Sequence, residues 1–283
     1  MGNGWSEWPL IIFTVIGQCV VGGFAVVAVV FIRDRLTPEV RMRLIQRMFF
    51  LWVLMGVGFV ASIMHLGSPL RAVNSLNRLG ASALSNEIAA GSLFFALGGF
   101  WWLLAVLNKM PRALAKGWLI LTMLAGGGFV YAMCRVYAIA TVPTWSSGWT
   151  PFNFVLTVII GGPLLGYLLL HCARVTDRVT RFLPPLGVAA LLISFAVMIL
   201  QGADLHTLHS SVQQATTLIP RYGQLQVWRL ALLVLGLGLW IVPLFRHKTP
   251  STLWLSVGLA LIFTGEIIGR ALFYGLHMTV GLV

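Results

Sequence analysis

Charge is scarce in this chain of 283 residues: 9% are Asp, Glu, Lys or Arg, and only 7 residues are acidic. Soluble domains carry about 25% charged residues and roughly 45–50% apolar ones. Here 59% of the residues are hydrophobic, which excludes an ordinary water-soluble domain. The formal net charge of +12 does not point to nucleic acid. Its basic residues sit in short segments between apolar runs, the pattern that sets topology across a bilayer. Cysteine is sparse too. Cys19, Cys134 and Cys172 lie far apart, outside any CxxC or Cys/His cluster, so no metal or iron–sulfur motif is present and they read as small buried hydrophobes. The N-terminal MGNGWSEW lacks a basic segment before the first apolar run and is read as entering a retained helix, not a cleaved signal peptide. Gly2 with Ser6 matches the myristoylation pattern only as a short chance match.

What is present is a series of long apolar runs. A helix needs about 20 such residues to cross the hydrocarbon core. Eight runs come close: 10–32, 48–64, 88–107, 118–137, 152–170, 182–200, 227–245 and 253–274. The expected fold is all-α, a polytopic membrane protein of eight transmembrane helices forming one integral membrane domain over 1–283. The helix count is compatible with two bundles of four. Gly22-Gly23, Gly98-Gly99 and Gly126-Gly127-Gly128 are expected where helix backbones approach closely. Pro163 should bend the fifth span, and Pro184-Pro185 should sit at the start of the sixth.

The basic residues orient the chain. Arg33, Arg35, Arg41, Arg43 and Arg47 lie in the first connection, Lys109, Arg112 and Lys116 in the third, Arg174, Arg178 and Arg181 in the fifth, and Arg246 and Lys248 in the seventh. By the positive-inside rule these connections face the cytoplasm and both termini are periplasmic. The connections of the other face are longer: 65–87, 138–151 and 201–226. Long loops on one face mark a place where something binds, although Trp145 and Trp149 also suit an interfacial aromatic belt.

Candidate chemistry gathers on that longer-looped face. His65 ends the second span, Glu87 opens the third behind Ser85 and Asn86, which are expected to cap that helix, and Arg71 and Arg78 lie between them. A histidine and a carboxylate at a membrane boundary can take protons from a small hydroxylated ligand, with arginines to anchor it. The same residues also fit plain interfacial loop positions, and Glu87 fits a first-turn acid complementing a helix dipole. Glu266 and Arg270 stand four apart on the last span, in the order that suits an intrahelical ion pair, or they line the same pocket. Asp204, His206 and His209 read DLHTLH, but four ligands are wanted for closed zinc and no second cluster accompanies them. No span carries a histidine near its middle for bis-histidine haem. Gln18 and Tyr137 are expected to hydrogen-bond between helices.

Several long strings carry a family resemblance: GWSEWPLIIFTVIGQC, HLGSPLRAVNSLNRLGASALSNEI, TVPTW, HSSVQQA and EIIGRALFYGLHMTVG. With these, essentially the whole chain resembles the membrane anchor subunit of bacterial dimethyl sulfoxide reductase and its close paralogues. The resemblance implies an eight-helix anchor of the bacterial inner membrane, without haem or metal of its own. It implies partners on the periplasmic side: a molybdopterin catalytic subunit and a ferredoxin-like subunit with four iron–sulfur clusters. It implies menaquinol as the substrate oxidised in anaerobic respiration, with His65 and Glu87 as the residues tied to quinol. His209 lies within the matching HSSVQQA string, whereas His206 is outside the family pattern. Two rival classes are a small-molecule transporter, which calls for midplane charges and broken spans, and a passive scaffold that does not touch quinol.

Overall fold

A computed structural model describes residues 4–65, 74, 76–209 and 214–279. A short 3-10 turn, Gly4–Glu7, leads into α1, Trp8–Arg33, with Pro9 in its first turn, where a missing N–H costs nothing. Asp34 ends α1 in the left-handed region, at φ 54°, and its N–H returns to the Phe31 carbonyl. The charged α2, Pro38–Arg47, follows under a Thr37 cap whose hydroxyl accepts the Val40 N–H, and α3 is Phe49–Met64. Together α2 and α3 make one membrane-crossing unit, Pro38–Met64, which starts earlier than the apolar run because the charged α2 has no apolar signature.

The remaining helices are α4 (Ala83–Val106), α5 (Arg112–Val136), α6 (Trp149–Cys172), α7 (Leu183–Thr207), α8 (Tyr222–Phe245) and α9 (Thr252–Gly275). Pro184 and Pro185 occupy the first turn of α7, and Pro163 lies within α6, which runs on to Cys172. Among the described residues, eight helical units are long and apolar enough to cross a membrane. Apart from an isolated bridge between His209 and Gln214, no strand pairing occurs among the described residues.

Burial ranks the helices. The most apolar stretch of α1 is 83% buried and that of α6 is 67%, while the others fall between 28% and 39%. α1 is therefore the centre, packed against α3, α5, α6 and α9, and the rest expose residues such as Phe100, Leu124, Leu192 and Phe245 as a lipid-facing surface does. Lipid tails are as apolar as leucine, so close backbone approach drives helix pairing. At the α1–α6 seam a Cβ on Gly162 would stand 2.5 Å from the Gly22 Cα, so neither position can carry a side chain. Gly236 and Gly258 do the same for α8 and α9, each hypothetical Cβ lying 2.7 Å from the other's carbonyl oxygen. Gly98 accommodates the Trp52 ring and Gly126 packs on Val21 and Phe94, but Gly99, Gly127 and Gly128 face open space.

The helices α3 and α4 follow each other in sequence but touch sparsely, since α3 lies on α1 and α4 on α5. Aromatic contacts join them: Trp52 to Phe94 at 5.9 Å and Phe59 to Phe95 at 5.7 Å between ring centroids. Past Phe59, α3 continues for only about one turn, whereas about three turns of α4 precede Phe95. The first turns of α4 therefore extend past the Phe59–Phe95 contact.

Candidate functional site

Glu87 sits in the second turn of α4. The cap is Ser82, whose hydroxyl accepts the Ser85 N–H at 3.4 Å, and not Ser85 or Asn86 as expected. Asn86 instead turns back, its Oδ1 accepting the Gly80 N–H at 2.7 Å. Dipole effects fade after the first turn, so helix-end complementarity explains Glu87 poorly. Its carboxyl is buried, 3% exposed, and Oε1 has no hydrogen-bond partner. An unmade bond there costs roughly 1–3 kcal/mol, more for a charged group.

Within electrostatic reach of Glu87 the fold gathers groups from α5 and α9, which are held in turn by α1 and α6. Tyr137, at the end of α5, and Tyr274, on α9, hydrogen-bond through their hydroxyls. Both act electrostatically with Glu87 and with Arg270, and Glu87 acts with Arg270. The Arg270 guanidinium donates to Gln18 Oε1 on α1 at 2.6 Å and lies 3.6 Å over the Phe154 ring. Gln18 reaches on to Met133 Sδ at 3.6 Å. Its expected role as an interhelical hydrogen-bonding residue is thus realised, as is that of Tyr137.

The expected pair on the last span is rearranged. Glu266 is 2% exposed and Arg270 4%, but the ion-pair partner of Glu266 is Arg229 of α8, Nη2 to Oε1 at 3.5 Å, and no contact within ion-pair distance joins Glu266 to Arg270. Thr157 of α6 donates to the other Glu266 oxygen at 2.6 Å. Arg270 is drawn the other way, toward Gln18 and Phe154, so the two residues face different neighbours. Two guanidiniums and two carboxylates are thus buried in the same half of the fold, a set that balances as a whole.

His65 caps α3 at the rim. Its Nδ1 stands 3.4 Å from Glu7 Oε2, with side-chain exposures of 41% and 36%, so its direct partner is a residue that sequence reasoning did not single out. Arg78 is exposed in a short turn before α4, and its carbonyl accepts the Ser82 N–H at 2.9 Å. Arg71 lies outside the described residues. Trp145 turns inward: its Nε1 donates to the Phe273 carbonyl at 2.8 Å and its ring stacks on Phe273, while Thr144 donates to the Leu276 carbonyl at 2.6 Å. The TVPTW loop is therefore a lid on the end of α9. Trp149 donates to Asp204 at 2.6 Å. Among the described residues no three His, Cys, Asp or Glu side chains gather as a metal site.

Sequence reasoning missed Arg229 and Gln226, 5% and 6% exposed. A signal was available, since Tyr222, Gln226 and Arg229 recur at helical spacing as a polar stripe entering an apolar run.

Eight apolar helices with balanced charges buried toward one end define a multi-pass integral membrane protein. Residues 1–276 match the family described as DMSO reductase anchor subunit (DmsC). Over 283 residues the protein is 58% identical to the C chain of anaerobic dimethyl sulfoxide reductase from Escherichia coli (strain K12), an alignment that spans 100% of this protein and 99% of that one. It is 57% identical over 282 residues to the YnfH chain of anaerobic dimethyl sulfoxide reductase from the same organism, and 45% identical over 282 residues to the Haemophilus influenzae counterpart of the C chain, each alignment again spanning 100% of this protein and 99% of the relative. The protein belongs to the DMSO reductase anchor subunit family, proteins of the bacterial inner membrane.

Proposed function

We propose that this protein anchors a dimethyl sulfoxide reductase complex and oxidises menaquinol for it at the Glu87 cluster. The observation that carries the reading is the buried Glu87 carboxyl with an unpartnered oxygen, within electrostatic reach of a hydrogen-bonded tyrosine pair and a buried guanidinium. A quinol hydroxyl is the kind of donor that such an oxygen lacks. In this reading the quinol enters laterally from the bilayer between helices, and the half-exposed His65 at the rim takes up a proton.

In this reading both termini face the periplasm, by the positive-inside rule, and the helices form two halves joined along the α1–α6 seam. The iron–sulfur subunit docks on the periplasmic connections, with the molybdopterin subunit beyond it. Arg78, exposed before α4, is placed either to reach the quinol or to meet that partner. Each quinol yields a quinone, two protons and two electrons. The protons pass to Glu87 and His65, Arg270 steadies negative charge near the ring oxygen, and the electrons go to an iron–sulfur cluster of the partner.

The test is quinol-dependent reduction of the partner's clusters in membranes carrying wild type, His65→Ala or Glu87→Gln, with assembly checked on the same samples. Loss of reduction in an assembled complex is the expected outcome. Unchanged reduction in both variants leaves a passive scaffold.

A further inference from the structure

A second group of unpartnered polar atoms lies away from Glu87. Between α6, α7, α8 and α9 is a cavity of about 30 Å³ whose lining includes Asn153, Gln201, Gln226, Arg229 and Glu266. Three of these residues carry a buried atom without a hydrogen-bond partner: Gln226 Oε1, Arg229 Nε and Glu266 Oε1. The last has only the Arg229 contact at 3.5 Å. A buried water needs at least about 10–15 Å³ and two to four polar partners. The cavity satisfies both conditions but is far too small for a quinone ring. Arg270 lines it as well and lies within electrostatic reach of Glu87, so one guanidinium is shared between the cavity and the Glu87 cluster.

We propose that this cavity is a hydrated proton exit, in which bound water bridges Glu266, Arg229 and Gln226 and carries protons from the Glu87 cluster to the periplasmic face. The inference rests on the quinol-site reading. Glu266 accepts a proton from water on the Glu87 side and returns one to water on the far side, while the electrons leave separately to the partner's cluster. Arg270 remains charged and holds the junction. At the far wall Tyr222 hydrogen-bonds Gln226 at 3.0 Å and Asn153 hydrogen-bonds Gln201 at 3.0 Å, with the exposed Asp204 beyond. Glu266 is contacted by Thr157 from α6 and Arg229 from α8, and Cys19 from α1 and Arg270 one turn along α9 act on it electrostatically without contact. Among these the carboxyl is the natural carrier, because the guanidiniums hold their protons.

The experiment uses the assembled complex in membrane vesicles with Glu266→Gln, Gln226→Leu and Glu87→Gln. It reads binding of a fluorescent quinol analogue, the rate of cluster reduction by quinol across pH, and infrared carboxyl and water bands after exchange into heavy-oxygen water. Glu266→Gln should retain analogue binding but slow reduction at least about tenfold, with an altered pH profile. Gln226→Leu keeps the carboxyl but dries the cavity, so it should slow reduction likewise and lose an exchangeable water band. Wild-type rates and pH profiles in both cavity variants overturn the exit. If Glu87→Gln alone loses reduction, only the exit falls; if it too keeps the wild-type rate, the quinol-site reading falls. Should Glu266→Gln fail to assemble, Gln226→Leu decides by the same criteria.

Discussion

At the end of the fold where α1 gives way to α2, carboxylates sit in the open among bases. Asp34 is held by Arg41 and by Lys116 at 3.2 Å, and Glu39 meets Arg43 at 3.3 Å; the Arg33–Asp177 pair at 3.3 Å stands apart from these, because the Asp177 side chain is only 3% exposed. Toward the opposite end, Glu87, Glu266, Arg229 and Arg270 are each at most 5% exposed. Water and salt screen the first set, so each pair contributes little and the surplus of positive charge serves topology. Isolated members of the second set would each cost several kcal/mol, and well-packed apolar residues often serve stability equally well in such places. Three unpartnered polar atoms beside the cavity and one on Glu87 make the buried set a poor device for stability alone. Proton chemistry is the reason we give for its presence.

The sharpest way to break this contrast is to remove one charge from each end. Arg270→Met should cost about 3–5 kcal/mol, because it strands the carboxylates that the guanidinium balances. Thermal unfolding of the detergent-solubilised complex reads this, and Arg41→Met, its counterpart in the exposed network, should leave the midpoint nearly unchanged. Equal losses in the two variants would erase the distinction between the ends. Next in size is Glu87→Gln, which keeps shape and assembly but should lower quinol-dependent cluster reduction by about 100-fold, as loss of a general base does. Smaller again is Trp145→Phe. It deletes the hydrogen bond to the Phe273 carbonyl while keeping an aromatic ring on α9, and should cost about 1 kcal/mol in the same unfolding measurement.

The eight spans were legible because a bilayer demands long apolar runs and tolerates few substitutes. What escaped was whatever depended on contacts between helices. The start at Pro38 was hidden because α2 is charged, and the cap at Ser82 because Ser85 and Asn86 suited the role equally well by residue type. Spacing within one helix suggested Glu266 with Arg270, but the closer partner stands on α8, where no periodicity of α9 could point. His65 was recognised as a boundary residue, yet Glu7 is far from it in sequence. Trp145 looked like a belt residue because composition alone does not tell a ring facing lipid from one folded over a helix end.

The least effect is expected from Asp34→Asn, and its dependence on pH and salt makes it informative. Lys116, first by hydrogen bonding, and then Arg41 hold the Asp34 carboxyl below its ordinary pKa. A carboxyl depressed on folding stabilises the folded protein fully above the unfolded pKa, and that contribution disappears as the pH falls through the lower folded value. Near neutral pH the wild-type contribution is therefore flat, and the exposed pairing should fade as ionic strength rises. Wild type and Asp34→Asn should differ slightly at low salt and neutral pH, then converge at high salt or in acid. The loss caused by Arg270→Met should persist at high salt, because buried charges are screened far less. Convergence of both variants with wild type in salt would mean that Arg270 is reached by water and ions, and would place it with the exposed charges.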